Sequence, residues 1–284
     1  MRLRIFAAVV LGCVTSAADV SAAPIPPQDS EQTISLGDIT MTAFTYRPNC
    51  PNPSLLLVFH GVGRQPELSR KSAHPVADRL CMLVVAPLFD KEQFPAGSYQ
   101  RGGLTRRGVV QDPSRWTGNV VNDLVAWVRR QEGRKMDVYL LGHSAGGQFL
   151  SRVAAFVPTD AKRIVIANPS THVFPSLTVD APFGISGVFP KSKAEAELRR
   201  YLAQPVTIFL GTADLGDENR NDSPEARAQG ATRYERGLNV FRAGEKLAAS
   251  RGWTFNWRLV EVPDVGHSAN KMFSSKEAVK ALAP

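Results

Sequence analysis

The stretch VYLLGHSAGGQFL, Val138 to Leu150, sets a serine among glycines where an apolar run gives way to a helical pattern. A hydroxyl on a sharp strand-to-helix turn is pushed out of the sheet. Gly142, Ala145, Gly146 and Gly147 leave room for the strained backbone such a turn demands. The helix N-terminus beneath Ser144 favours negative charge developing nearby. A serine hydroxyl is a weak nucleophile until a base takes its proton. The chain has five histidines. His60 and His143 lie inside other local motifs, His74 precedes Pro75 in a predicted surface helix, and His172 opens a long loop. His267, in VPDVGHSANKMF, follows the last predicted strand, with Gly266 giving its loop freedom, and it is the candidate base. An imidazole in that role needs a carboxylate that orients it and stabilises its protonated form. The segment VTIFLGTADLGDE delivers Asp214 just beyond a strand end. Asp217, Glu218 and Asp222 compete for the role, and Asp214 is favoured because it lies nearest the strand.

These three residue types together perform acyl transfer, whose transition state puts negative charge on the former carbonyl oxygen. Two backbone N–H groups must already point at that oxygen. One is expected from Ala145, directly after the nucleophile. The other is expected from the loop opened by His60 and Gly61 in LLLVFHGVGRQP, from Val62, with Gly61 and Gly63 letting the backbone approach the substrate.

The elements that must position these groups are legible as periodicities. A hairpin is expected around Gly37-Asp38. Apolar runs of strand length follow at Leu55–Phe59, Met82–Ala86, Val138–Leu141, Arg163–Ala167, Val206–Leu210 and Phe255–Val262. They are continuous rather than alternating, as in strands buried on both faces. Helical spacing appears in WTGNVVNDLVAWVRRQ, in Phe149–Val157 up to Pro158, over about Asn239–Ser250, and after Ser268. A hairpin followed by alternating strands and helices predicts one α/β domain over residues 23–284 with a mostly parallel sheet and helices on both faces. Three long connections, Pro87–Arg115, Asn168–Pro205 and Gly211–Arg236, begin at strand C-terminal ends, where open α/β sheets bind ligands. Phe89, Phe94, Tyr99, Phe174, Phe183 and Phe189 in the first two either line a cleft or pin the loops down.

The 284 residues, 43% hydrophobic, suffice for one large core. The formal charge of +8 comes from scattered basic residues with no aromatic-interleaved stripe, so a solvated basic surface is expected and no nucleic-acid partner. Arg2, Arg4, the apolar IFAAVVLGCV and the small residues up to Ala22 read as an export signal cut near Ala22, which would leave a charge of +7 once Arg2, Arg4 and Asp19 are gone. A rival reading, a lipoprotein box ending at Cys13, carries an unusual Leu11. No later segment is expected to span a membrane, and the mature protein is expected to be periplasmic or secreted. There an oxidising compartment favours a disulfide between Cys50 and Cys81 over two unpaired thiols.

With strand-HG, strand-GHSAG-helix, strand-GTAD and the late GH in hand, the chain from about Gln32 onward resembles the α/β-hydrolase fold. Within it, HGVGR, VAPLFD, LLGHSAGGQFLSR and AQGATRYERG resemble exported bacterial hydrolases of the polyhydroxybutyrate-depolymerase and feruloyl-esterase type. The resemblance implies a serine esterase acting on a small or polymeric ester, without metal or organic cofactor and without a large cap domain. It carries over neither a substrate nor an oligomeric state. Peptide, amide or lactone hydrolysis on the same triad is the alternative, although dienelactone hydrolases are expected to carry cysteine where Ser144 stands. A binding protein on a silent hydrolase fold is a third reading. In AQGATRYERG, Gln229, Arg233 and Arg236 either reach the cleft to hold an anion or form a polar framework near the acid loop.

Overall fold

The hairpin comes first. The strands β1 (Gln28–Leu36) and β2 (Ile39–Arg47) pair antiparallel over nine residues each and close on the two-residue turn Gly37-Asp38. The structure is a computed structural model that describes residues 23–283; the predicted export signal with its cut near Ala22, and the alternative box at Cys13, lie outside the described residues. The chain continues through β3 (Ser54–Phe59), α1 (Pro66–Leu80) and β4 (Met82–Pro87). A small two-stranded ribbon, β5 (Thr105–Arg106) with β6 (Val109–Val110), decorates the first long connection. Then come α2 (Val120–Glu132), β7 (Val138–His143), α3 (Ala145–Phe156), β8 (Arg163–Ala167), α4 (Lys191–Leu202) and β9 (Val206–Gly211). The chain finishes with α5 (Pro224–Arg227), α6 (Arg233–Arg251), β10 (Arg258–Val262), α7 (Ala269–Ser274) and α8 (Lys276–Leu282).

The main sheet runs in the order β1-β2-β4-β3-β7-β8-β9-β10. Only the hairpin and its junction with β4 are antiparallel; β4, β3, β7, β8, β9 and β10 run parallel. Every residue of β4, β7, β8 and β9 is buried, which is why those segments read as unbroken apolar runs. Alternate residues of β3 face opposite layers. Leu55, Leu57 and Phe59 join the layer of α2, α3, α4 and α6, while Leu56 and Val58 join that of α1, α7 and α8. Each fully buried leucine or valine in these layers contributes about 1.5–3 kcal/mol relative to exposure.

Two expectations need correction. The last strand begins at Arg258, not Phe255. Phe255 and Trp257 leave the sheet to pack tilted against each other at 5.5 Å between centroids, and Trp257 packs on Tyr201 at 4.8 Å and donates to its carbonyl at 3.1 Å. The helix expected from Asn239 begins at Arg233, because Thr232 caps it by accepting from the Glu235 N–H while the Glu235 carboxylate accepts from Ala231 N–H. The long connection after β8 contains the helix α4. No separate cap domain is inserted there. Of the two readings of the loop aromatics, Phe89, Phe94 and Tyr99 take the second and pin the loop down. They are buried, with Phe89 4.8 Å from Tyr99 and 5.3 Å from Phe149, and fasten the first long connection to the core. Phe183 is buried too, and Phe174 and Phe189 pack against the same core.

Cys50 and Cys81 are disulfide-bonded across a sequence separation of 31, tying the end of the hairpin to the α1–β4 junction. In the chain-entropy model a loop of that length is worth about 3–4 kcal/mol. Replacing both cysteines by serine is therefore expected to lower the melting temperature by about 8 °C, read by calorimetry against the oxidised protein. Among the described residues no helix is long and apolar enough to cross a membrane.

Candidate active site

The serine turn is built by close backbone packing. Ser144 holds φ 57° and ψ −113°, a conformation that side chains other than glycine seldom adopt. A Cβ on Gly142 would lie 2.4 Å from the Gly146 carbonyl oxygen, and one on Gly146 only 2.1 Å from that of Phe59. Glycine at those two positions lets β7, α3 and β3 close on one another, and the turn is fixed by Ser144 N–H donating to the Ala167 carbonyl at 3.0 Å.

Three strand ends deliver the remaining groups to the same edge of the sheet. His267, after β10, places Nε2 3.0 Å from the Ser144 hydroxyl oxygen and Nδ1 2.7 Å from Oδ2 of Asp214, which follows β9. Asp214 is 1% exposed, and its second oxygen accepts from the Arg233 guanidinium at 3.3 Å. Arg233, equally buried, also donates to the Gly216 carbonyl at 3.2 Å and to that of Glu218. The acid loop is thus wrapped round one cation, and the carboxylate is held from both sides. The competing acids stand elsewhere: Asp222 pairs with Arg220 at 3.0 Å, while Asp217 and Glu218 lend backbone carbonyls to arginine partners.

The His60 loop abuts Ser144, since a Cβ on Gly61 would lie 3.7 Å from that of the serine. Arg64 N–H donates to the Gly61 carbonyl at 3.2 Å, which leaves Val62 and Gly63 at the crest of a turn. The His60 ring anchors this turn. Its Nε2 accepts from Phe89 N–H at 3.0 Å, its Nδ1 donates to the Gly61 carbonyl at 3.0 Å, and the Tyr99 hydroxyl donates to the His60 carbonyl at 2.7 Å. Burial lowers the His60 pKa to about 4, so the neutral ring matches those partners. The Arg64 guanidinium donates to the carbonyls of Phe89 and Phe94 and lies 4.5 Å above the Tyr99 ring. Ala145 is the first residue of α3, where a backbone N–H has no partner within the helix.

His143 packs its ring on that of His267 at 4.6 Å and sets an edge against Phe273 at 6.2 Å. Burial holds its pKa well below the ordinary histidine value, so it backs His267 without adding charge. Of the two readings of AQGATRYERG, the structure takes the framework. Gln229 bonds both the N–H and the carbonyl of His172 at 2.9 Å, and Arg236 donates to the carbonyls of Ser170, Asn221 and Gly230. Sequence reasoning missed Tyr99 as the prop of the His60 loop, and its only signal was an aromatic in a long connection. It also missed Asn168, whose side-chain oxygen accepts from Gly211 N–H at 2.9 Å and locks β8 to β9 just before the acid loop. Among the described residues no group of three or more His, Cys, Asp or Glu could hold a metal ion.

No protein-family model matches the chain, and no curated protein matches it. Solved structures do. LpqC, a poly(3-hydroxybutyrate) depolymerase from Bordetella parapertussis, is 35% identical, with 86% of this chain and 84% of that one covered and a TM-score of 0.78. Poly(aspartic acid) hydrolase-1 from Sphingomonas sp. KT-1 is 28% identical, with 91% and 99% covered and a TM-score of 0.81. Est1E from Butyrivibrio proteoclasticus, 16% identical with 88% and 96% covered and a TM-score of 0.51, shares the fold alone. The mostly parallel sheet, the strand–serine–helix turn and a relative more than one-third identical over most of both chains place this protein in the α/β-hydrolase superfamily.

Proposed function

We propose that the protein is an exported serine hydrolase that cleaves carboxylic esters through an acyl-enzyme. The observation that carries this reading is the unbroken line of contacts from the Ser144 hydroxyl through the His267 ring to buried Asp214, 3.0 Å and then 2.7 Å, on a strained turn. His267 Nε2 takes the hydroxyl proton as Ser144 Oγ attacks the ester carbonyl. The Ser144 Oγ–carbonyl bond forms, and the oxyanion is received by the N–H groups of Ala145 and Val62. Protonated His267, held in orientation by Asp214, gives its proton to the departing alkoxide as the ester C–O bond breaks. Water then attacks the acyl carbonyl as His267 takes its proton, the carbonyl–Oγ bond breaks as His267 returns that proton to Ser144 Oγ, and the acyl group leaves as a carboxylic acid.

Export is supported by the basic, then apolar, then small-residue start of the chain and by the Cys50–Cys81 bond, since disulfides persist in oxidising compartments. Ester chemistry is supported by the similarity to a poly(3-hydroxybutyrate) depolymerase. A second reading, amide hydrolysis on the same residues, is favoured by the similarity to poly(aspartic acid) hydrolase-1. The test combines labelling and turnover. A fluorophosphonate probe is expected to modify Ser144, identified by peptide mass spectrometry, and p-nitrophenyl butyrate cleavage is expected to fall in proportion to labelling. An unlabelled Ser144 in folded protein would overturn the proposal, while faster cleavage of a matched amide than of the ester would replace it with the second reading.

A further inference from the structure

A groove of about 460 Å³ opens beside the nucleophile, between the His60 loop, the first turns of α1 and the start of α7. Gly61 and His143 form its inner wall, which places it next to Ser144. None of its lining residues carries a carboxylate, and two of them, Arg64 and Lys71, carry cations. Of the three cations around it, two are paired with acids and Arg64 is in no ion pair. Glu67 is drawn to Lys71 at 3.1 Å, Arg70 is drawn off by Asp29 at 2.8 Å, and the Arg64 guanidinium has only backbone carbonyls as hydrogen-bond partners. The fifteen-residue α1 begins at this groove with Pro66, and its N-cap Gln65 makes no side-chain capping bond. The positive end of the helix dipole therefore adds to the charge. The His143 ring, 6% exposed, closes the inner end of the groove, with its Nε2 out of reach of solvent.

We infer that this groove is a subsite for a carboxylate carried by the substrate, recognised by Lys71 and Arg64. The inference rests on the hydrolase reading above and names the substrate class of that site as anionic esters. The carboxylate has two sources, the acyl part or the leaving group, and each is tested by a matched pair. For the acyl arm the pair is mono-p-nitrophenyl glutarate and its methyl ester; for the leaving-group arm it is 4-carboxyphenyl butyrate and its methyl ester. Each kcat/KM is divided by the rate of hydroxide hydrolysis of the same compound.

The charged member is expected to be preferred about tenfold or more in one arm at low salt, with the preference shrinking as salt screens it. Lys71→Glu is expected to cut that preference by about three- to tenfold. Arg130→Glu, the same charge change on exposed α2, should leave it in place. No preference for the charged member in either arm overturns the inference, as does an equal response to Lys71→Glu and Arg130→Glu. A binding measurement needs no turnover. Calorimetry on the Ser144→Ala protein is expected to show glutarate binding more tightly than dimethyl glutarate and weakening about threefold or more in the Lys71→Glu background; equal binding of the two compounds also overturns it. Failure of the hydrolase reading has a different signature, an unlabelled Ser144 with no turnover of either pair.

Discussion

Ser144→Gly is expected to abolish ester cleavage and to make the protein more stable. On the proposed mechanism the change removes about five to six orders of magnitude in kcat, leaving what binding and the proposed oxyanion donors supply. The stability gain comes from the backbone. Ser144 holds φ 57° and ψ −113°, and a side chain there costs on the order of 1–3 kcal/mol, held by the packing of β7, α3 and β3. Glycine removes that strain and gives back about 0.5–1 kcal/mol through its freer unfolded chain. The net gain is about 1 kcal/mol, or roughly 2–4 °C in melting temperature. Ser144→Ala loses the same hydroxyl and the same bond to His267 but keeps a Cβ on the strained turn. It is expected to be equally inactive without the rise. Paired calorimetry of the two variants isolates the strain, and a glycine variant no more stable than the alanine variant would refute its storage at the nucleophile.

That strain explains how much of the site was legible. Ser144, Asp214 and His267 each stand just past an apolar run, so reading the strands was enough to bring them to one edge. The glycines flanking Ser144 announced the tight turn because no other residue fits within 2.4 Å of a neighbouring carbonyl. What escaped was decided by tertiary contact. The segment KSKAEAELRRYL of α4 buries only Leu198, Tyr201 and Leu202, too few apolar positions to stand out among its charges. Phe255 and Trp257 look like strand residues until α4 and α6 supply an aromatic surface that draws them away. The α6 start was readable after all, since TRYE is a capping box that a search for caps would have found. The groove was not readable, because its walls come from α1 and α7, which lie about two hundred residues apart and meet only through packing.

The same burial that shapes the site makes the fold sensitive to acid. His60, His143 and His172 are buried, and burial lowers all three, His60 to about 4, His172 to about 3, and His143 well below the ordinary value. His172 has no hydrogen-bond partner on either ring nitrogen, and the cations Arg152 and Arg236 lower it further. Each ring is neutral in the native state and takes a proton near pH 6.5 once unfolded. As pH falls below 6.5 the unfolded chain therefore binds up to three more protons than the native one, and stability falls. The slope approaches about 1.4 kcal/mol per pH unit per histidine, or roughly 4 kcal/mol per unit for the three. It eases below about pH 4, where His60 protonates in the folded state. Over two pH units the loss rivals the whole stability of an ordinary domain, so unfolding is expected on acidification from pH 6 toward 4, with stability intact above pH 7. Urea unfolding at pH 8, 6, 5 and 4.5 measures the slope. His172→Leu, which removes one titrating ring without removing a hydrogen bond, should flatten it by about one third. Stability that stays level from pH 7 to 5 would mean that these rings accept protons in place, and the neutral His60 that anchors the turn beside Ser144 would lose its basis.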